Sequence, residues 1–238
     1  MTFVPHHPNN SGQVFFAFWA VSGANPAGFT GVRIEERFLR TRARIFALLA
    51  LGGVLAGCAA LPGGGPAPVD AFDLTTPTVS QDGRRVSRKQ ILVTEPTAIK
   101  MLDGQDIVVK TSSGAIQYLG GVRWADRLPR IVQTRMADLY QRSGRFGGVG
   151  MPGEGLAIDY QILADLRAFN VRVDGQDRAE VEIFVRILND RNGVVRASRV
   201  FTASTPVNGS GGQAFASALD RAFGTAMADL VDWTVSNT

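Results

Sequence analysis

Residues 158–203 read IDYQILADLRAFNVRVDGQDRAEVEIFVRILNDRNGVVRASRVFTA, and the period of this stretch decides the fold class. Ile158, Tyr160, Ile162, Ala164, Leu166 and Ala168 alternate with more polar neighbours, the two-residue repeat of a strand with one buried face. The phase then flips to Phe169, Val171 and Val173. A period of two cannot absorb that flip without an extra residue, so a β-bulge is predicted near Ala168–Phe169. Asp174-Gly175 begins a turn. Ala179, Val181, Ile183, Val185 and Ile187 form a second clean face, Asn192-Gly193 marks a tight turn, and Val194–Ala203 returns as a third strand.

Upstream, Ala71–Leu74 reads as a short strand, the polar run from Pro77 to Lys89 as a loop, and Gln90–Thr94 as a strand. Ile107–Thr111 and Ile116–Leu119 read as a hairpin around Ser112-Ser113-Gly114. A helix comes next, with Asp126 as N-cap and Pro129 in the first turn. Its apolar stripe is Leu128, Ile131, Val132, Met136, Leu139 and Tyr140, and Gly144 ends it. Glycine-rich Phe146–Gly155 reads as a loop. A long closing helix is expected behind a Ser210 cap, with Phe215, Leu219, Phe223, Ala226, Leu230 and Trp233 as its stripe. The fold class predicted is α+β: a two-layer domain with a mostly antiparallel sheet of about five to six strands and two long helices on one face, preceded by a signal peptide.

The N-terminal region is organised differently. Arg33–Arg44 is basic, and Ile45–Ala56 (IFALLALGGVLA) is an apolar run of 12 residues. A helix spanning the bilayer needs about 20 such residues, whereas the h-region of an export signal needs fewer. Leu55-Ala56-Gly57-Cys58 comes directly after and resembles the lipobox of bacterial lipoproteins. In that motif the cysteine receives a diacylglyceryl group and, after cleavage, usually an acyl chain such as palmitate. Two or three chains make a lasting anchor where one is marginal. Ala59 is next to the cysteine, and by the same resemblance alanine there favours sorting to the outer membrane. Pro/Gly-rich residues 59–69 read as a tether. The division expected is 1–31 as an extension upstream of the true start, 32–57 as signal peptide, 58–69 as lipidated terminus and linker, and 70–238 as the folded domain.

Charge and composition exclude several function classes. The chain carries 25 Lys and Arg against 21 Asp and Glu. Five of those arginines and two of the acids precede Cys58, so the remainder is almost neutral and lacks the basic footprint that nucleic acid requires. Both histidines, His6 and His7, lie in the extension, and Cys58 is the one cysteine. The expected domain therefore has no His- or Cys-based triad and no ordinary zinc ligand set. Walker A and dinucleotide fingerprints are absent. Glu180 and Glu182 share one face of a predicted strand, opposite Val181 and Ile183, and read as a solvated face. No catalytic constellation, metal site or cofactor is expected, apart from covalent lipid on Cys58.

Ile116–Gly144, IQYLGGVRWADRLPRIVQTRMADLYQRSG, resembles the ABC-type transport auxiliary lipoprotein family. The matching residues are Tyr118 ending a strand, then Trp124, Asp126, Leu128 and Pro129 opening an amphipathic helix, with Gln133 further in. Asp165-Leu166-Arg167-Ala168-Phe169 is a second match. The resemblance covers roughly 70–236. It implies a non-enzymatic, lipid-anchored accessory component that docks a lipid transporter at the outer membrane. The partners implied are an MCE-domain protein with its ABC permease and ATPase, and self-association is left open. The alternative is a lipoprotein that aids outer-membrane assembly or binds the cell wall. Trp124 and Asp126 are expected to pack and cap the helix entrance, with direct contact to a partner as the alternative role, and Tyr118 is read in the same two ways.

Overall fold

The computed structural model describes residues 68–238. Leu55, Ala56, Gly57, Cys58 and Ala59, with the signal-peptide and extension readings, lie outside the described residues. The elements are β1 (Asp70–Phe72), β2 (Val86–Val93), β3 (Thr97–Ala98), β4 (Asp106–Thr111), β5 (Ile116–Trp124), α1 (Leu128–Ser143), β6 (Phe146–Gly150), β7 (Tyr160–Val173), β8 (Arg178–Asn189), β9 (Val195–Pro206), α2 (Gly212–Met227) and α3 (Leu230–Ser236).

β7 organises the sheet. Its 14 residues pair antiparallel with β8 along one edge, and β8 pairs antiparallel with β9. The other edge is shared in succession by β2, β3 and β4, all parallel to β7. β4 forms the antiparallel hairpin with β5; β1 adds parallel to β5, and β6 parallel to β2. The bulge predicted from the phase flip is present. Register slips between Leu166 and Ala168, so Arg167 is the extra residue and both Leu166 and Phe169 reach the core.

The sheet nevertheless differs from the expectation of five to six mostly antiparallel strands: the described residues form a mixed sheet of nine. Alternation identifies a strand but not its partner. Parallel neighbours such as β4 and β7 arise only through a long crossover, here β5, α1 and β6. β6 itself corrects the loop reading of Phe146–Gly155 over its first five residues, while 151–155 form a loop as read. A Cβ on Gly147 would come within 2.2 Å of the Ser87 carbonyl oxygen, and one on Gly150 within 2.8 Å of Leu156. These glycines permit close approach of the neighbouring chain, a role that composition alone confuses with a turn.

Two caps are also corrected. Arg127, not Asp126, precedes the first turn of α1, and no side chain caps that helix. The Leu128 N–H donates instead to the Gly104 carbonyl at 2.9 Å, so backbone does the work of a cap. Gly211, not Ser210, flanks α2, again without a side-chain cap. Gly144 ends α1 in the left-handed conformation, with φ 59°, as read from sequence. The closing helix is divided at Ala228–Asp229, between α2 and α3. All three helices contribute to one continuous core with the sheet. Its aromatic centre is Trp124 edge-on to Phe169 at 5.7 Å, with Phe223 6.3 Å beyond.

Candidate functional site

The segment Ile116–Gly144 becomes β5, the three-residue junction Ala125–Arg127, and α1. The junction is stitched on both sides by backbone. The Trp124 N–H donates to the Gln105 carbonyl and the Ala125 N–H to the Phe72 carbonyl, each at 2.7 Å. Trp124, Leu128 and Pro129 are buried, and Gln133 donates from its buried amide to the Val93 carbonyl at 3.0 Å. These motif residues hold α1 against the sheet. Tyr118 and Asp126 are different: Tyr118 is 55 % exposed on β5, and Asp126 is exposed at the junction. The structure thus splits the motif into a buried part that fixes the helix and an exposed part at the surface.

The outward side of α1 is lined with paired charges. Arg127 donates to Glu95 at 2.9 Å and to Asp103, and its guanidinium holds the Asp103 carboxyl below the ordinary carboxylate range. Arg130 meets Asp126 at 3.4 Å, Arg135 meets Asp73, and Arg142 meets Asp138 at 2.7 Å. The loop between β1 and β2 straps the helices: Thr76 donates to Asp138 on α1, and the Thr75 N–H donates to Asp220 on α2 at 2.7 Å. The Thr76 hydroxyl, with Arg142, holds the Asp138 carboxyl below its ordinary range. Arg130 and Thr134 form a ridge between two open grooves. One, of about 190 Å³, reaches Asp73 and Asp126; the other, of about 500 Å³, reaches Glu95 and Met151.

Sequence reading missed this arginine-bearing ridge. Its signal was present in Arg127, Arg130, Arg135 and Arg142, spaced along one helix, but their acid partners include residues of distant loops. Arg145 was missed as well: it is 6 % exposed, donates to the Arg84 carbonyl at 3.1 Å and pairs with Asp232 of α3. Glu180 and Glu182 lie on the face of β8 opposite buried Val181 and Ile183. Glu180 pairs with Arg172 at 3.1 Å and Glu182 with Arg167 at 3.7 Å. Among the described residues no three His, Cys, Asp or Glu side chains gather as a metal site, and no helix is long and apolar enough to cross a membrane. The arrangement is that of a surface with paired charges and open grooves.

A family model described as the ABC-type transport auxiliary lipoprotein component matches residues 72–231. The chain is 33 % identical over 189 residues to an uncharacterised protein of Bradyrhizobium diazoefficiens. That alignment takes in 78 % of this chain and 50 % of the relative, so the chain spans half the length of the protein it matches. The fold superposes on the crystal structure of a DUF330-family protein from Xanthomonas campestris with a TM-score of 0.58 and 25 % identity. The superposition covers 71 % of this chain and 94 % of the other. A second crystal structure, of an uncharacterised protein, shares the fold at a TM-score of 0.55 and 14 % identity, over 70 % of this chain and 99 % of that one.

Proposed function

Because the chain belongs to the ABC-type transport auxiliary lipoprotein family, we propose that it is a non-enzymatic, lipid-anchored accessory component of an ABC/MCE-type intermembrane lipid transport system. In this reading lipid on Cys58 holds the protein at the outer membrane, residues 59–69 give reach, and the domain docks the transporter. The single observation that supports it most is the family match across residues 72–231, which takes in nearly all of the folded domain. The exposed ridge of α1, with Asp126 beside it, is the surface assigned to the partner. Charges already paired with neighbours keep a fixed geometry, so such a surface selects a partner by complementarity of shape and charge.

The test is gentle crosslinking of the envelope in the native host, then isolation of the tagged lipoprotein and mass spectrometry of its companions. Recovery of an MCE-domain protein with its permease and ATPase is expected. Reproducible recovery of an outer-membrane assembly complex or peptidoglycan, with no MCE component, would overturn the transport reading. The same preparation reports the mass of the N-terminal peptide, where diacylglyceryl and acyl groups on Cys58 are expected.

A further inference from the structure

β1 fixes the direction in which the tether leaves the domain. It lies parallel to β5, with Asp70 opposite Val122 and Phe72 opposite Trp124. In a parallel pair, the chain before Asp70 heads toward the Ile116 end of β5, and so toward the turn of the β4–β5 hairpin. Along that path β5 carries no outer neighbour among the described residues except β1. Large apolar side chains lie open there: Val69 is 46 %, Ile116 44 % and Tyr118 55 % exposed. Lys110 stands across the hairpin from Ile116.

Chain length brings this hairpin to the anchor. β5 is irregular between Tyr118 and Arg123, since Val108 pairs with Tyr118 and Asp106 with Arg123; measured along β4, the level of Val122, opposite Asp70, is about 20 Å from the hairpin turn. Residues 59–69 reach at most about 35–40 Å. A tether that keeps the direction set by β1 therefore ends no more than about 20 Å past the hairpin turn. The β7–β8 turn stands at the same end, because Thr111 pairs with Val173, and it presents Asp174 and Asp177. Arg172 beside them is matched by Asp174 and Glu180. This end thus has no net cationic excess to bind anionic headgroups, and its affinity for a surface is apolar and aromatic. A tyrosine suits that boundary, with an apolar ring and a polar tip, and Lys110 can keep its ammonium in water above a buried stem.

We propose that the β4–β5 hairpin, through Ile116 and Tyr118, is the domain's contact with the lipid surface that holds Cys58, and that the β8–β9 turn points away from it. The β8–β9 turn lies at the opposite end of the sheet, since Tyr160 at the start of β7 pairs with Asn189. This assignment rests on reading Cys58 as the lipid-bearing residue, and the experiment keeps the two separable by imposing the anchor chemically. Residues 58–238 are coupled through Cys58 to a maleimide-headgroup lipid in phosphatidylcholine vesicles. An environment-sensitive fluorescent amino acid is placed at Ser113 or at Asn192, and quenching by headgroup-level nitroxide lipid is measured. Severalfold stronger quenching at Ser113 is expected, insensitive to salt, and reduced to the Asn192 level by Ile116→Ser with Tyr118→Ser. Both side chains are exposed, and circular dichroism verifies that the double variant is folded. Equal quenching at the two sites, stronger quenching at Asn192, or a Ser113 signal that the double variant leaves unchanged would overturn the proposal. An unlipidated Cys58 in native protein would overturn the anchor reading while leaving the vesicle result to stand or fall by itself.

Discussion

The hydroxyl of Tyr140, wholly enclosed in the core, lies 2.7 Å from Oγ1 of Thr234 and ties α1 to α3. Thr234 donates its own proton to the Leu230 carbonyl at 2.8 Å, so Tyr140 is the donor in the pair. Tyr140→Phe removes a donor and leaves Thr234 bonded; a loss of about 0.5–1.5 kcal/mol is expected. Thr234→Val strands the phenol without an acceptor, and its cost is expected to be about 1–3 kcal/mol. Urea midpoints of the two variants check the order.

Burial pushes the Tyr140 phenol above its ordinary value. A group whose folded pKa is raised keeps its stability contribution below the unfolded pKa, here about 10, and loses it as pH climbs from there toward the folded value. Stability is therefore expected to decline in alkali, and Tyr140→Phe to remove part of that decline. Denaturation midpoints across the alkaline range measure it.

Asp138 behaves oppositely. The hydrogen bond from Thr76, with Arg142 close by, depresses its pKa. Its contribution is present above the unfolded pKa of about 4 and disappears as pH falls through the lower folded value. Asp138→Asn is expected to flatten the acid limb of the stability profile, read by thermal melts at successively lower pH.

Gly147 and Gly224 predict opposite responses to alanine. At Gly147 the new Cβ meets the Ser87 carbonyl, a backbone group of β2 that cannot yield as cheaply as a side-chain end; a loss of about 1–3 kcal/mol is expected. Gly224 lies within α2 with open space around it, and Gly224→Ala is expected to stabilise by about 0.5–1 kcal/mol. Chemical denaturation of the two variants side by side decides both signs.

The family motif is separable into fold and contact. Trp124→Ala opens a cavity beside Phe169 and is expected to cost about 3–5 kcal/mol. Tyr118→Ser changes an exposed side chain and is expected to stay within about 0.5 kcal/mol of the parent. If Tyr118→Ser instead unfolds the domain in a thermal melt, the motif does not divide in this way.

Much of the fold was legible because periodicity survives in a linear chain. The alternation of Ile158–Ile187 marked β7 and β8, and its phase flip predicted a bulge near Ala168–Phe169, next to Arg167 where the register slips. Leu128–Tyr140 marked α1, and Gly144 its end. Glycines misled where close packing, not a turn, required them, as in β6. Asp126 misled because a cap depends on where the Gly104 carbonyl lies, and that residue belongs to another segment. The candidate site was half legible: its motif residues were named, but the ridge of paired arginines and the strap over it were not.

By itself the sequence determined the long periodic segments that became β7, β8 and α1, and the near-neutral charge of residues 59–238, since each is a property of the linear chain. Only the tertiary structure decided which strands pair, that β1 runs parallel to β5, which motif side chains are buried, and which acids answer Arg127 and Arg135. Those depend on groups far apart in the chain being brought within a few ångströms, and pairwise contact of that kind leaves no period in a single sequence.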